Sequence, residues 1–289
     1  MASYILKRIL SLIPTFFGAT FLAFLIIQMA PGDYLTQLEL DPKVTPETIA
    51  RLRAQFGLDR PFHEQYLLWM HNLLHLNLGY SFAYQAPVLE IVWPRVLNSM
   101  VLVVPSTVLL FLIAVPVGVY GALRQYSLGD RVVSFLAYLR PAIPNFFRAL
   151  ILMYLALLPI VVLTTSDIAG FSRIMRGQML EALSQDYVRT ARAKGLPERV
   201  VVYKHALRNA IIPIVANIGG ILPTLISGAG LVEVVTAWPG ITPLLLDAIS
   251  QQDLYVVAGF LTMGLVLLMI GNLLSDLLLA WVDPRIRYE

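Results

Sequence analysis

Residues 181–210 read EALSQDYVRTARAKGLPERVVVYKHALRNA, and this polar stretch decides how the apolar remainder of the 289-residue chain is arranged. Leu180, Leu183, Tyr187 and Ala191 recur three and four residues apart, which predicts one apolar face of a helix. Arg189, Arg192 and Lys194 crowd its last turn, where cations suit the negative end of the helix dipole. Gly195 supplies the left-handed conformation that ends a helix, and Pro197 suits the first turn of the next. Val200, Tyr203 and Leu207 are expected to line one face of that second, short helix. The pattern is therefore helix, glycine elbow, short amphipathic helix. Two readings of it stand open: a basic element lying on anionic lipid headgroups, or a rigid lever that docks a partner.

Outward from this stretch the chain turns apolar. It is 58% hydrophobic and 13% charged, with a mean hydropathy of +0.73, whereas soluble domains run at roughly 45–50% apolar and about 25% charged. A compact soluble fold has too little interior to hide so much apolar side chain, so the solvent for most of this protein is lipid. That excludes a cytosolic enzyme, a disordered linker and a disulfide-stapled secreted domain. The absence of cysteine removes thiolate zinc sites, iron–sulfur clusters and thiol nucleophiles. A net charge of +3 gives no argument for nucleic acid as a partner.

A membrane helix needs about 20 mostly apolar residues. Ile9 to Ala30 meets this without a charge, behind Lys7 and Arg8. It exceeds the roughly 7–15 apolar residues of a cleaved signal peptide, so it is expected to stay as the first span. Met100 to Leu123 is the second. Val132 to Leu163, with the segment to about Phe171, is expected to form the third and fourth, and Ile211 to Val232 and Leu254 to Val282 the last two. The third and fourth would reverse around Ala156–Pro159 with no polar loop, an uncomfortable turn at membrane depth. The expectation is that a connecting loop is missing from the chain.

Charge orients the spans. Residues 31–98 carry five Lys/Arg against seven Asp/Glu, residues 173–208 eight against three, and residues 233–253 three acids with no Lys or Arg. Positive short loops stay cytoplasmic. Both termini and 173–208 are therefore expected inside, and 31–98 and 233–253 outside. Six spans satisfy every loop, with five as the alternative. The expected fold is an all-α polytopic bundle: a tail and first span (1–30), an extracytoplasmic region (31–98), and a core (99–289) bearing the 173–208 loop.

Ionisable residues fall within these spans. Arg140 and Arg148 lie two turns apart in the third, Asp167 in the fourth and Asp276 in the sixth. A charge at the bilayer centre costs on the order of 3 kcal/mol and normally faces a cavity or a partner. Arg140, Arg148 and Asp167 are accordingly expected either to line a translocation path or to pair for assembly. His71 and His75, spaced four apart, suit a metal if helical, but the surrounding Leu, Trp and Tyr read more naturally as an interfacial helix. No metal site is expected.

The elbow resembles the cytoplasmic loop of permease subunits in binding-protein-dependent ABC importers. That family's pattern is Glu-Ala-Ala, three residues, Gly, nine residues, Ile-x-Leu-Pro. Gly195 matches the glycine, Arg189-Thr190-Ala191 stands for Glu-Ala-Ala, and His205-Ala206-Leu207-Arg208 occupies the closing positions. "DYVRTARAKGL" and "HALRNA" resemble the peptide-type branch, which serves dipeptides, oligopeptides and nickel. So do "LKRILSLIPTFFGATFLAFLIIQMAPGD" at 6–33, "LRAQFGLDRPFHEQYLLWM" at 52–70, "GYS" at 79–81, "LVEVVTAWPGITPLLLDAISQQDLYVV" at 231–257 and "DPRIRY" at 283–288. Departures are the lost aspartate before Leu78-Gly79, the charges Arg140 and Arg148 beside "PNFF", and the short connection between spans three and four.

The resemblance implies a type I ABC importer permease fold in a bacterial or archaeal plasma membrane. It implies that the chain forms half of a translocation pathway beside a second homologous permease, with two ATPase subunits and an external substrate-binding protein. Tyr187, Arg189, Ala191, Arg192, Lys194, Gly195, Val200, Tyr203, Lys204, His205 and Leu207 would then couple to an ATPase groove. ATP and Mg would be bound by those partners, since the chain has no Gly-x-x-x-x-Gly-Lys-Ser/Thr loop, and no cofactor is expected in the chain itself. Other classes are less supported. A serine hydrolase would need a histidine within the spans, but His63, His71, His75 and His205 lie outside them, and the aspartates Asp167 and Asp276 carry no supporting motif. A stand-alone secondary transporter would need ion-coupling groups and usually an internal repeat, and neither is read.

Overall fold

The computed structural model describes residues 2–29, 34–39, 45–55, 57–139 and 159–282. Among these the chain is helical throughout, apart from turns and one short antiparallel ribbon pairing Tyr80 with Pro87 and Ser81 with Ala86. The main helices are Ala2–Gln28, Phe62–Leu74, Val88–Leu123, Leu128–Leu139, Pro159–Ser184, Ile212–Val235, Ile241–Ser250 and Leu254–Val282. Two are long and apolar enough to cross a membrane by length and composition, Val88–Leu123 and Leu254–Ala280. The helix that carries the second expected span begins at Val88, twelve residues before the apolar run, and Val88, Val92 and Val96 give the added turns a buried stripe. Arg140, Arg148 and nearly all of the expected turn at Ala156–Pro159 lie outside the described residues.

The chain divides into two compact units, each with its own core. The first comprises residues 1–8, 100–238 and 268–289. Here Pro159–Ser184 packs against the later half of Val88–Leu123. Leu102, Val103, Val162, Leu163, Ala229 and Val232 form one cluster, and Thr164 donates its hydroxyl to the Ile160 carbonyl at 2.7 Å. A second cluster joins Val119, Met175, Met179 and Ile214 to the 181–210 segment. An ion pair closes this end: Arg176 forks onto the Asp130 carboxylate, with Nε at 2.8 Å and Nη2 at 3.0 Å. Burial pushes the Asp130 carboxyl up, but the Tyr126 N–H and the Arg176 guanidinium outweigh it and hold the group below its ordinary value. Arg8 and Asp276 pair at 3.1 Å, tying the start of the first helix to the end of the last.

The second unit comprises residues 9–99 and 239–267. Phe21 and Phe24 of the first helix meet Phe62, Tyr66 and Trp69 in an aromatic cluster, and the Tyr66 hydroxyl donates to the Phe17 carbonyl at 3.2 Å. Leu67 and Leu74 stay exposed, the amphipathic division expected of an interfacial helix. Two segments far apart in sequence meet in this unit. Asp253, fully buried, accepts the Ser81 hydroxyl at 2.6 Å and the Ala83 N–H at 3.2 Å. Its other oxygen caps the Leu254–Val282 helix through the Val256 N–H at 3.2 Å. Beside it, Gly79 (φ 97°) lies against the Tyr255 ring, where a Cβ would come within 2.6 Å of the aromatic carbon. The turn at Trp238-Pro239-Gly240 is fixed on its second half by Asn98, which donates to the Pro239 carbonyl at 2.9 Å.

Candidate functional site

The 181–210 segment is built by a sequence of local stops. Pro159–Ser184 ends where Gln185 takes an extended conformation (φ −73°, ψ 151°), and a separate helix runs Asp186–Ala193. The single helical face expected across Leu180, Leu183, Tyr187 and Ala191 is therefore broken in two. Past the break Val188 and Ala191 are buried, while Tyr187 is 39% exposed. The second helix ends at Gly195 (φ 74°) as its spacing predicts. The Gly195 N–H bonds the Arg192 carbonyl at 2.9 Å and the Leu196 N–H the Ala191 carbonyl at 3.4 Å, the paired pattern that satisfies a helix's last carbonyls. Nothing lies within 4 Å of the position a Gly195 Cβ would take, so the glycine is required by backbone conformation and not by space.

Beyond the elbow, Glu198–Val200 leads into a π-helical turn over Val201–Ala206, with the Leu207 N–H bonded five residues back to the Val202 carbonyl. The wider turn changes which residues face inward. Val201, Val202, Ala206 and Ala210 are buried, Val200 and Leu207 are half-buried, and Tyr203 is 60% exposed. The single face expected for Val200, Tyr203 and Leu207 at α-helical spacing is thus not formed. Leu207 packs on the chain's own core, while Tyr203 and Lys204 point away from it.

These inward residues join Val188 and Ala191 in the cluster around Met175 and Met179. Fully burying a valine contributes about 1.5–3 kcal/mol, so Val188 and Val201 alone anchor the elbow firmly to the helices beneath it. The outward face includes Tyr187, Arg189, Arg192, Lys194, Gly195, Leu196, Arg199, Tyr203 and Lys204 together with the acids Asp186 and Glu198, and His205 is half-buried. Two of the cations are engaged locally. Arg189 pairs with Asp186 at 3.3 Å. Arg192 forks onto Glu198 across the elbow, at 2.7 and 3.2 Å. Glu198 is no part of the expected coupling set; an opposite charge six residues on, beyond a helix-ending glycine, is the sequence signal that marks it. Asp167 is half-buried within Pro159–Ser184, and its expected partners Arg140 and Arg148 lie outside the described residues.

The Arg192 guanidinium holds the Glu198 carboxyl below its ordinary value. A depressed carboxyl stabilises the fold above the unfolded pKa and loses that contribution as pH falls through the folded one. Both groups are substantially exposed, so the staple contributes no more than about 1 kcal/mol. A nitroxide label at Leu196→Cys should therefore be more mobile in Glu198→Gln than in the Glu198 protein at pH 7. The two spectra should converge as pH drops below the glutamate range. A difference independent of pH would contradict the staple.

Comparison with known proteins places this architecture. Residues 78–288 match the model of the binding-protein-dependent transport system inner membrane component, and residues 1–103 match its N-terminal companion. The chain is 38% identical to an oligopeptide transport system permease of Bacillus subtilis (strain 168), covering all of both chains. It is 33% identical to a dipeptide transport system permease of Escherichia coli (strain K12), again over all of both. A dipeptide transport system permease of Lactococcus lactis is 34% identical over 99% of this chain and 100% of its own. The alignment with the Bacillus protein runs over 317 positions, more than this chain's 289 residues, so that relative carries residues absent from this chain. An apolar helical chain with a core-anchored basic elbow, matched from end to end by transport permeases, belongs to the family of inner membrane components of binding-protein-dependent transport systems.

Proposed function

We propose that this chain is the permease subunit of an ATP-driven peptide importer, coupled to ATPase partners through the 187–208 elbow. The observation that carries the coupling role is the burial of the elbow's own apolar residues. Val188, Ala191, Val201, Val202 and Ala206 lie in the protein's core, so little apolar face is left to sink into a lipid surface. The outward face is polar, basic and aromatic, and it is held rigidly by the core, the π turn and the Arg192–Glu198 fork. A lever needs that rigidity. Tyr203 and Lys204 are its outward contacts, Arg189 and Lys194 its basic rim, and Ala191 and Leu207 hold it to the bundle.

The cargo assignment rests on the relatives, which are named as oligopeptide and dipeptide permeases. The full reading has six spans with both termini and 173–208 cytoplasmic. Support comes from the charge balance: residues 173–208 carry eight Lys/Arg against three acids, whereas residues 233–253 carry three acids and no Lys or Arg. A second permease, two ATPases carrying ATP and Mg, and an external binding protein complete the machine. Arg140, Arg148 and Asp167 line its path. Reconstituted with these partners, the chain should show ATP hydrolysis raised by binding protein loaded with a di- or oligopeptide. Peptide uptake by this chain without any ATPase would overturn the reading.

A further inference from the structure

At the C-terminal end of the helix Phe62–Leu74, outside everything the transport reading uses, two exposed imidazoles lie side by side, His71 in the last turn and His75 at the cap. The rings of His71 and His75 have centroids 4.5 Å apart. His75 Nδ1 lies 2.8 Å from the His71 carbonyl oxygen. A carbonyl only accepts, so in the neutral ring Nδ1 carries the proton and Nε2 the lone pair, the tautomer that a ligand bound through Nε2 requires. The backbone holds this arrangement in place. The His75 N–H bonds the Asn72 carbonyl at 3.0 Å, the Leu76 N–H the Leu73 carbonyl at 2.9 Å, and the Asn77 N–H the Asn72 carbonyl at 2.9 Å. This closes the helix over the pair and sets the His75 ring against a finished cap, not a fraying end.

We propose that His71 and His75 form a two-imidazole site for a divalent first-row transition-metal ion: copper, nickel or zinc. Metal–imidazole bonds of about 2.0–2.1 Å let one ion span two nitrogens up to roughly 4 Å apart, and side chains one helical turn apart reach each other by side-chain rotation alone. No group of three or more His, Cys, Asp or Glu side chains gathers among the described residues. Among the described residues no third such side chain joins the pair, and water completes the coordination. Imidazole donors with open coordination favour copper over nickel and zinc.

The full-length, untagged chain in detergent, titrated with Cu(II), Ni(II) and Zn(II) salts, tests this. One equivalent of Cu(II) should bind most tightly, with an electron paramagnetic resonance spectrum split by two imidazole nitrogens. His71→Ala and His75→Ala should each weaken Cu(II) binding at least tenfold and leave one-nitrogen splitting. The double variant His63→Ala/His205→Ala should bind as the unaltered chain does. Cu(II) binding unchanged in either single variant, or lost in the double variant, would overturn the site.

Discussion

Gly195→Pro is expected to abolish substrate-stimulated ATP hydrolysis in the reconstituted importer while leaving membrane insertion intact. Gly195 sits at φ 74°, and proline is locked near −65°. The substitution also deletes the N–H that bonds the Arg192 carbonyl at 2.9 Å. The elbow cannot keep its bend, so Arg192 loses its alignment with Glu198 and the π turn loses its entry. None of the apolar spans is touched, which is why insertion should survive. Gly195→Ala separates conformation from bulk. Its Cβ meets nothing within 4 Å, and the left-handed backbone costs an L-residue about 1–2 kcal/mol. Its stimulation should fall between the other two. Full stimulation in Gly195→Pro would mean that the bend plays no part in coupling.

Asp253→Ala is expected to produce the largest loss of stability among single substitutions outside the elbow. Asp253 is fully buried and receives the Ser81 hydroxyl and the N–H groups of Ala83 and Val256. Alanine leaves those donors without their acceptor, and each buried orphan costs about 1–3 kcal/mol. Loss of the helix cap adds about 1 kcal/mol. These contributions overlap, so a total of about 3–5 kcal/mol is expected, read as a lower unfolding temperature in detergent. Ser81→Ala removes one donor and the acceptor of the Tyr84 N–H at 3.0 Å but leaves the carboxylate its other two partners, so its loss should be smaller. Equal losses in the two variants would show that the carboxylate does not organise this junction.

Local chemistry made much of this legible in advance. The last apolar run coincides with the helix Leu254–Val282, and Gly195 ends its helix with positive φ. Both depend on near neighbours in the chain. Gln185 is different: it breaks a helix with neither proline nor glycine to announce it. The π turn at Val201–Ala206 is invisible to any count made at 3.6 residues per turn, and it is why Tyr203 faces out while Val202 faces in. "GYS" and "QQDLY" were each recognisable as motifs, yet nothing local says that Ser81 donates to Asp253 across 172 residues. The Asp130–Arg176 fork is hidden in the same way. Long-range pairing is fixed by packing, and packing is not written at any one spacing.

The central claim is that the elbow's outward face seats in an ATPase subunit. A photocrosslinking residue in place of Tyr203, in membranes containing the assembled importer, reads this directly. Tyr203 is 60% exposed beside a buried Val202, so the probe should project outward without disturbing the core. Its adducts should be to the ATPase subunit and should change in yield with bound nucleotide. Adducts to phospholipid alone, with none to the ATPase in any nucleotide state, would contradict the account.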